Sequence, residues 1–155
     1  EIAKNNRIPK QVIDFILEHH GTTVTRYQYV RAVEEAGGDV DKVDINNFRY
    51  PGPRPQSVET ALVMLADGCE ARARAQRPQS EELIRELVED TVLKRQEAGQ
   101  LNDTSLTLQQ IGIVTESFIN TLRGVYHPRI EYPELKEPDK KSNEAGTIPV
   151  RTESP

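Results

Sequence analysis

Residues 57–75 read SVETALVMLADGCEARARA. From Ala61 to Cys69 nearly every position is apolar, and no proline interrupts the run. At 100° per residue this places apolar side chains on almost every side, as in a helix buried at the centre of a bundle. Ser57 is a good N-cap, and Glu59 suits the positive end of the helix dipole. Asp67 breaks the pattern. Its helical neighbours are Thr60, Val63, Met64 and Ala71, so an ionised carboxylate there is costly unless a cation meets it. The expected partner is an arginine such as Arg54 or Arg74, a lysine, or a metal ion.

The same periodicity extends to both sides and predicts an all-α fold, with no hairpin signal and no internal repeat. A first helix is expected over about 9–20, with Pro9 in its opening turn and Gly21 at its end. Val12, Ile13, Ile16 and Leu17 form its apolar stripe, with His20 on the same side. A second is expected over about 22–36, from a cap at Thr22-Thr23 to Gly37-Gly38. A long loop over 39–56 follows, stiffened by Pro51, Pro53 and Pro55. A fourth helix, about 81–98, starts at Ser80 and stops at Gly99. The fifth, about 108–126, opens with a Thr107–Gln110 capping box. Its predicted core stripe is Leu108, Ile111, Val114, Phe118, Leu122 and Val125.

The chain has 155 residues and a net charge of −5, which gives no bulk attraction to nucleic acid. Its one Cys cannot close an internal disulfide, which points to a reducing compartment. No apolar run approaches the ~20 residues of a membrane helix, and no signal-peptide pattern is present. The first residue is Glu1, so a processed or excised piece is expected. Residues 133–155, rich in Pro, Lys, Glu and Ser, are expected to be a disordered tail, leaving 1–132 to fold.

The stretch LEHHGTT, residues 17–23, holds His19 and His20 side by side. Two imidazoles and the Asp67 carboxylate are a plausible partial ligand set for a borderline divalent metal. Consecutive helical residues point ~100° apart, so chelation of one ion requires the backbone to turn at His20, which Gly21 permits. The competing reading makes His19 a solvated helix end and His20 a hydrogen-bonded core residue. His127, before Pro128, is expected to cap or pack, with Tyr126, Ile130 and Tyr132 anchoring the segment. RARAQR, residues 72–77, reads as a solvated helix end.

Four blocks carry a family resemblance: VIDFILEHHGTT (12–23), FRYPGPRPQSVETALVMLADGCEA (48–71), LTL (106–108) and GVYHPRIEYP (124–133). Together they resemble the HD-superfamily hydrolase domain of seven-transmembrane HD receptors, the PgpH-type cyclic di-AMP phosphodiesterases. The resemblance covers about 1–132. It departs at Gly68 and Cys69, where the family more often has a serine and an aliphatic residue, and in a longer loop over 37–44.

The resemblance implies a helical bundle of the HD-domain type, incomplete at its N-terminal side. It implies two divalent metals, Mn or Fe, held by a series H…HD…H…HH…D. His19 and His20 match the HH pair and Asp67 the final Asp; the remaining ligands would lie upstream of Glu1. No catalytic residue beyond the metal ligands is implied. Arg54, and less so Arg49, flank the rigid YPGP loop and are candidates for contacting substrate phosphate, against the alternative of pairing with the chain's own carboxylates. The implied activity is hydrolysis of cyclic di-AMP to pApA, as the cytoplasmic output of an inner or plasma membrane receptor. The implied partners are the cyclic dinucleotide, the upstream half of the HD domain and the transmembrane region; a homodimer stays open. Alternatives are an HD phosphohydrolase acting on another nucleotide, and a non-catalytic helical fragment for binding or assembly. Negligible turnover is expected of these residues alone.

Overall fold

Three hydroxyl side chains start the three long helices. Ser57 Oγ accepts from the Thr60 N–H at 3.2 Å while Ser57 N–H donates to Thr60 Oγ1 at 3.3 Å, a capping box that opens α4, Val58–Gln76. Ser80 Oγ accepts from the Leu83 N–H at 3.2 Å and opens α5, Glu81–Glu97. Gln110 N–H donates to Thr107 Oγ1 at 3.2 Å, and Thr107 N–H to Gln110 Oε1 at 2.9 Å, opening α6, Leu108–Tyr126. Each such cap contributes about 1 kcal/mol.

The computed structural model describes residues 2–126. Before the long helices come α1 (Ile2–Asn5), α2 (Lys10–Glu18) and α3 (Arg26–Glu35), then 3-10 turns at Val40–Lys42 and Ile45–Phe48. The fold is all-α, as predicted; the extended pairing among the described residues is one isolated bridge, Val24 to Arg49. His127, Ile130, Tyr132 and the 133–155 segment lie outside the described residues.

The core sits where α4 meets α5 and α6. Ala61, Leu65, Cys69 and Ala73 of α4 pack on Ile84, Leu87, Val88 and Val92 of α5 and on Ile119 and Leu122 of α6. Small α4 residues let α5 approach closely. A Cβ on Gly68 would stand 3.2 Å from Thr91 Cγ2, so the glycine belongs to that contact. The other side of α4 receives α2.

Three expectations need correction. α4 is not buried all round: Val63 is 40% exposed, and Ala66, Asp67 and Glu70 are also exposed. Helices cover it from two directions, and its third face is open among the described residues. Asp67 lies on that face, so desolvation does not demand a partner for it. In α6, Leu108 and Val125 are 80% and 69% exposed, while Ile111, Val114, Phe118 and Leu122 of the predicted stripe do pack on the core and Ile119 joins them. Thr22 and Thr23 do not begin α3. Residues 23–25 run extended along the loop, with Thr25 N–H donating to Phe48 O at 2.7 Å and Tyr50 N–H to Thr23 O at 2.9 Å. The loop itself is ordered by Asp39 and Asp44, whose carboxylates accept from the Asp41 and Asn46 N–H groups two residues on. On α2, Val12, Ile16 and Leu17 of the predicted apolar stripe are about half exposed.

Candidate functional site

The histidine pair is held by groups on either side of it. Glu18, the last residue of α2, is 6% exposed, and its Oε2 accepts from the Gln56 N–H at 2.8 Å and the Thr60 hydroxyl at 2.7 Å. One carboxylate oxygen thus ties the end of α2 to the start of α4. Behind the pair, Gly21 takes φ +52°, and a Cβ there would come within 2.6 Å of Met64 Cε and collide with Gln100 Oε1. The positive φ favours glycine, and any Cβ would have to displace the ends of the Met64 and Gln100 side chains. Gln100, 2% exposed, accepts from the Thr22 N–H at 3.0 Å and donates to Thr22 Oγ1 at 2.9 Å.

Between these clamps the two imidazoles turn toward one another. α2 ends at Glu18, and the rings of His19 and His20 lie 4.0 Å apart between centroids. His19 Nδ1 is 2.7 Å from Phe15 O, so the Nδ1–H tautomer is favoured and Nε2 keeps its lone pair. His20 stacks on Tyr50, centroids 4.2 Å apart, and its Nδ1 is 3.7 Å from Asp67 Oδ2. Burial holds the His20 imidazole below its usual pKa; His19 and Arg95 push in the same direction and Asp67 opposes them. At neutral pH the ring is therefore an uncharged donor of a lone pair. The structure brings His19, His20 and Asp67 to one place, with His20 and Asp67 both partly open to solvent.

The YPGP loop runs beside this cluster, but its arginines are engaged. Arg54 Nε and Nη2 donate to the two carboxylate oxygens of Asp103, each at 3.0 Å, and Nη1 donates to Gly99 O at 3.2 Å. Arg49 Nη1 donates to Thr22 O at 3.1 Å and Nε to Asn46 Oδ1 at 3.2 Å. Arg54 is thus paired with a carboxylate of the chain, the alternative to phosphate in the sequence reading, whereas Arg49 meets carbonyl oxygens of Thr22 and Asn46 and no carboxylate. Four residues at the cluster were not foreseen: Glu18, Tyr50, Gln100 and Arg95. Glu18 could have been suspected from its place before the histidines. Arg95 has no such mark among the charged residues of α5.

No protein-family model matches the chain. The chain is 38% identical over 137 residues to the cyclic-di-AMP phosphodiesterase PgpH of Listeria monocytogenes, covering 88% of this chain and 18% of that protein. To the PgpH of Bacillus subtilis it is 34% identical over 133 residues, covering 86% and 18%. The crystal structure of the Listeria monocytogenes PgpH HD domain in complex with cyclic-di-AMP superposes with a TM-score of 0.75 at 36% identity, over 84% of this chain and 60% of that one. The chain is a partial homologue of the PgpH-type HD domain. It spans about a fifth of the length of the curated relatives it matches and a little over half of the crystallised HD domain.

Two imidazoles and an exposed carboxylate suit a borderline divalent ion by donor chemistry. Among the described residues, no group of three or more His, Cys, Asp or Glu side chains is arranged to hold a metal ion. No helix among the described residues is long and apolar enough to cross a membrane.

Proposed function

We propose that these residues form part of a metal-dependent phosphodiesterase domain that hydrolyses cyclic di-AMP to pApA, as the cytoplasmic output of a membrane receptor. In this reading His19, His20 and Asp67 are ligands to a pair of divalent ions, Mn or Fe, whose other ligands come from the rest of the HD domain. The observation that carries the reading is the meeting of the two imidazoles and the carboxylate on a chain homologous to the PgpH HD domain.

Bound divalent ions supply a water of lowered pKa and neutralise charge on the phosphoryl oxygens. The chain's own residues prepare the place. The Phe15 carbonyl holds the His19 proton at Nδ1 and leaves Nε2 free. Tyr50 fixes the His20 ring by stacking, and the depressed pKa of His20 keeps its lone pair unprotonated. Glu18 and Gln100 lock the backbone on both sides of the pair, so little ordering is left for ligand binding. The half-exposed Val12, Ile16 and Leu17 on α2 are a surface against which the remaining HD-domain helices would pack.

The test uses the protein carrying the complete HD domain. With Mn²⁺ or Fe²⁺ supplied, conversion of cyclic di-AMP to pApA is followed by chromatography, and bound metal is measured by elemental analysis. His20→Ala and Asp67→Ala should each lose turnover and part of the bound metal. Full turnover and metal content in either variant would remove that residue from the site.

A further inference from the structure

Arg95, on α5, is a partly buried cation whose side chain finds no hydrogen-bond or ion-pair partner among the described residues. Its Nε is buried with nothing to donate to, and among the described residues its guanidinium makes no hydrogen bond and no ion pair, while its backbone carbonyl accepts from the Gln100 N–H at 3.0 Å. Two other guanidiniums are satisfied: Arg72 donates to Asp90 at 2.6 Å and to Thr91 Oγ1 at 2.9 Å, and Arg54 is clasped by Asp103. A buried donor left unpaired is destabilising and rare in native structures.

Its position gives the isolation a meaning. A Cβ on Gly68 would lie 3.5 Å from Arg95 Nη2, so the guanidinium rests over the residue after Asp67. Arg95 nonetheless stays beyond ion-pair distance of the Asp67 carboxylate, which has the His20 imidazole 3.7 Å away. The Arg95 and Arg26 charges repel, while Asp67 attracts Arg95, so two cations and one carboxylate share this face. Arg95 as a residue is partly exposed, and with Nε as the enclosed nitrogen its Nη groups reach solvent.

We propose that Arg95 is a phosphate-binding residue of this site, holding a phosphodiester of the bound dinucleotide beside His20 and Asp67. The proposal rests on the phosphodiesterase reading for the identity of the anion. A guanidinium suits the task because its fixed fork can donate two parallel bonds to phosphate oxygens. An unpaired donor before binding means that none of the fold's own bonds has to be broken when the anion arrives.

The test measures equilibrium binding of a cleavage-resistant phosphorothioate analogue of cyclic di-AMP to the metal-loaded protein with its complete HD domain. AMP and pyrophosphate serve as comparison anions. Arg95→Ala should weaken binding of the analogue by about ten- to hundredfold, the loss expected for charge-assisted bonds. Arg95→Lys should recover part of it. Bound Mn should be unchanged, and Arg95→Met should melt no lower than the parent, since the fold does not use the charge. Binding of the analogue to Arg95→Ala within twofold of the parent overturns the proposal and leaves the phosphodiesterase reading standing. A marked fall in melting temperature in both Arg95→Ala and Arg95→Met makes the residue structural and also overturns it. If the parent binds AMP or pyrophosphate through Arg95 but not the analogue, the phosphate role stands and the cyclic dinucleotide reading falls. A parent that binds none of the three overturns both.

Discussion

Removing the Glu18 carboxylate should loosen the joint that positions the histidines. Both donors, the Gln56 N–H at 2.8 Å and the Thr60 hydroxyl at 2.7 Å, end on the same oxygen of a residue 6% exposed. Bonds to an ionised acceptor contribute about 1.5–3 kcal/mol each, roughly twice a neutral bond. Glu18→Gln keeps the shape and an acceptor oxygen at that place and loses only the charge assistance, at a cost of about 1 kcal/mol. Glu18→Ala strands the Gln56 N–H. The Thr60 hydroxyl recovers part of its loss, because Ser57 O already stands 3.2 Å away. The net cost is then about 3 kcal/mol. Urea unfolding at pH 7 and 25 °C, with the slope held in common, should order the stabilities parent, Glu18→Gln, Glu18→Ala. Mn²⁺ affinity should fall in the same order, because His19 and His20 follow Glu18 directly. If Glu18→Ala lies within 0.5 kcal/mol of the parent, about the scatter of neutral surface substitutions, the carboxylate is not what joins α2 to α4.

The Arg54–Asp103 pair is bidentate but both side chains are about a third exposed, so a double-mutant cycle with alanine should give a coupling of about 1 kcal/mol; no coupling would mean that the pair does not hold the YPGP loop. Burial pushes the Cys69 thiol up to about 11, and the residue is 2% exposed. Its alkylation at pH 8 should therefore be at least about a hundredfold slower than in urea, tracking opening of the fold; rapid labelling of native protein would contradict the burial. The His20 pKa is lowered by burial and by His19 and Arg95, against Asp67, so the unfolded state takes up its proton first as pH falls. Metal-free protein should keep its stability down to about pH 6.5, the ordinary imidazole value, and lose it progressively below; His20→Asn should flatten that part of the profile, and an unchanged slope would reject the assignment.

The helices could be read from local chemistry because local chemistry makes them. Ser57, Ser80 and Thr107 satisfy N–H groups within three residues of themselves, so the starts of α4, α5 and α6 needed no knowledge of the rest of the chain. The conformational freedom of glycine likewise marked Gly21 as the end of the first helix, and His19, His20 and Asp67 could be named from residue type and family resemblance. Which faces are covered was decided elsewhere. Asp67 sits in an apolar run that reads as buried, yet it is exposed, because burial depends on how many helices surround α4 and from which directions. Leu108 and Val125 fit the α6 stripe by spacing but lie beyond the reach of α4 and α5. The grip of Glu18 on Gln56 and Thr60, and that of Gln100 on Thr22, joins residues 38 to 78 positions apart. Periodicity carries no trace of such pairs, since it records one element at a time. The same holds for Arg95, whose want of a partner exists only once α5 is laid against α4.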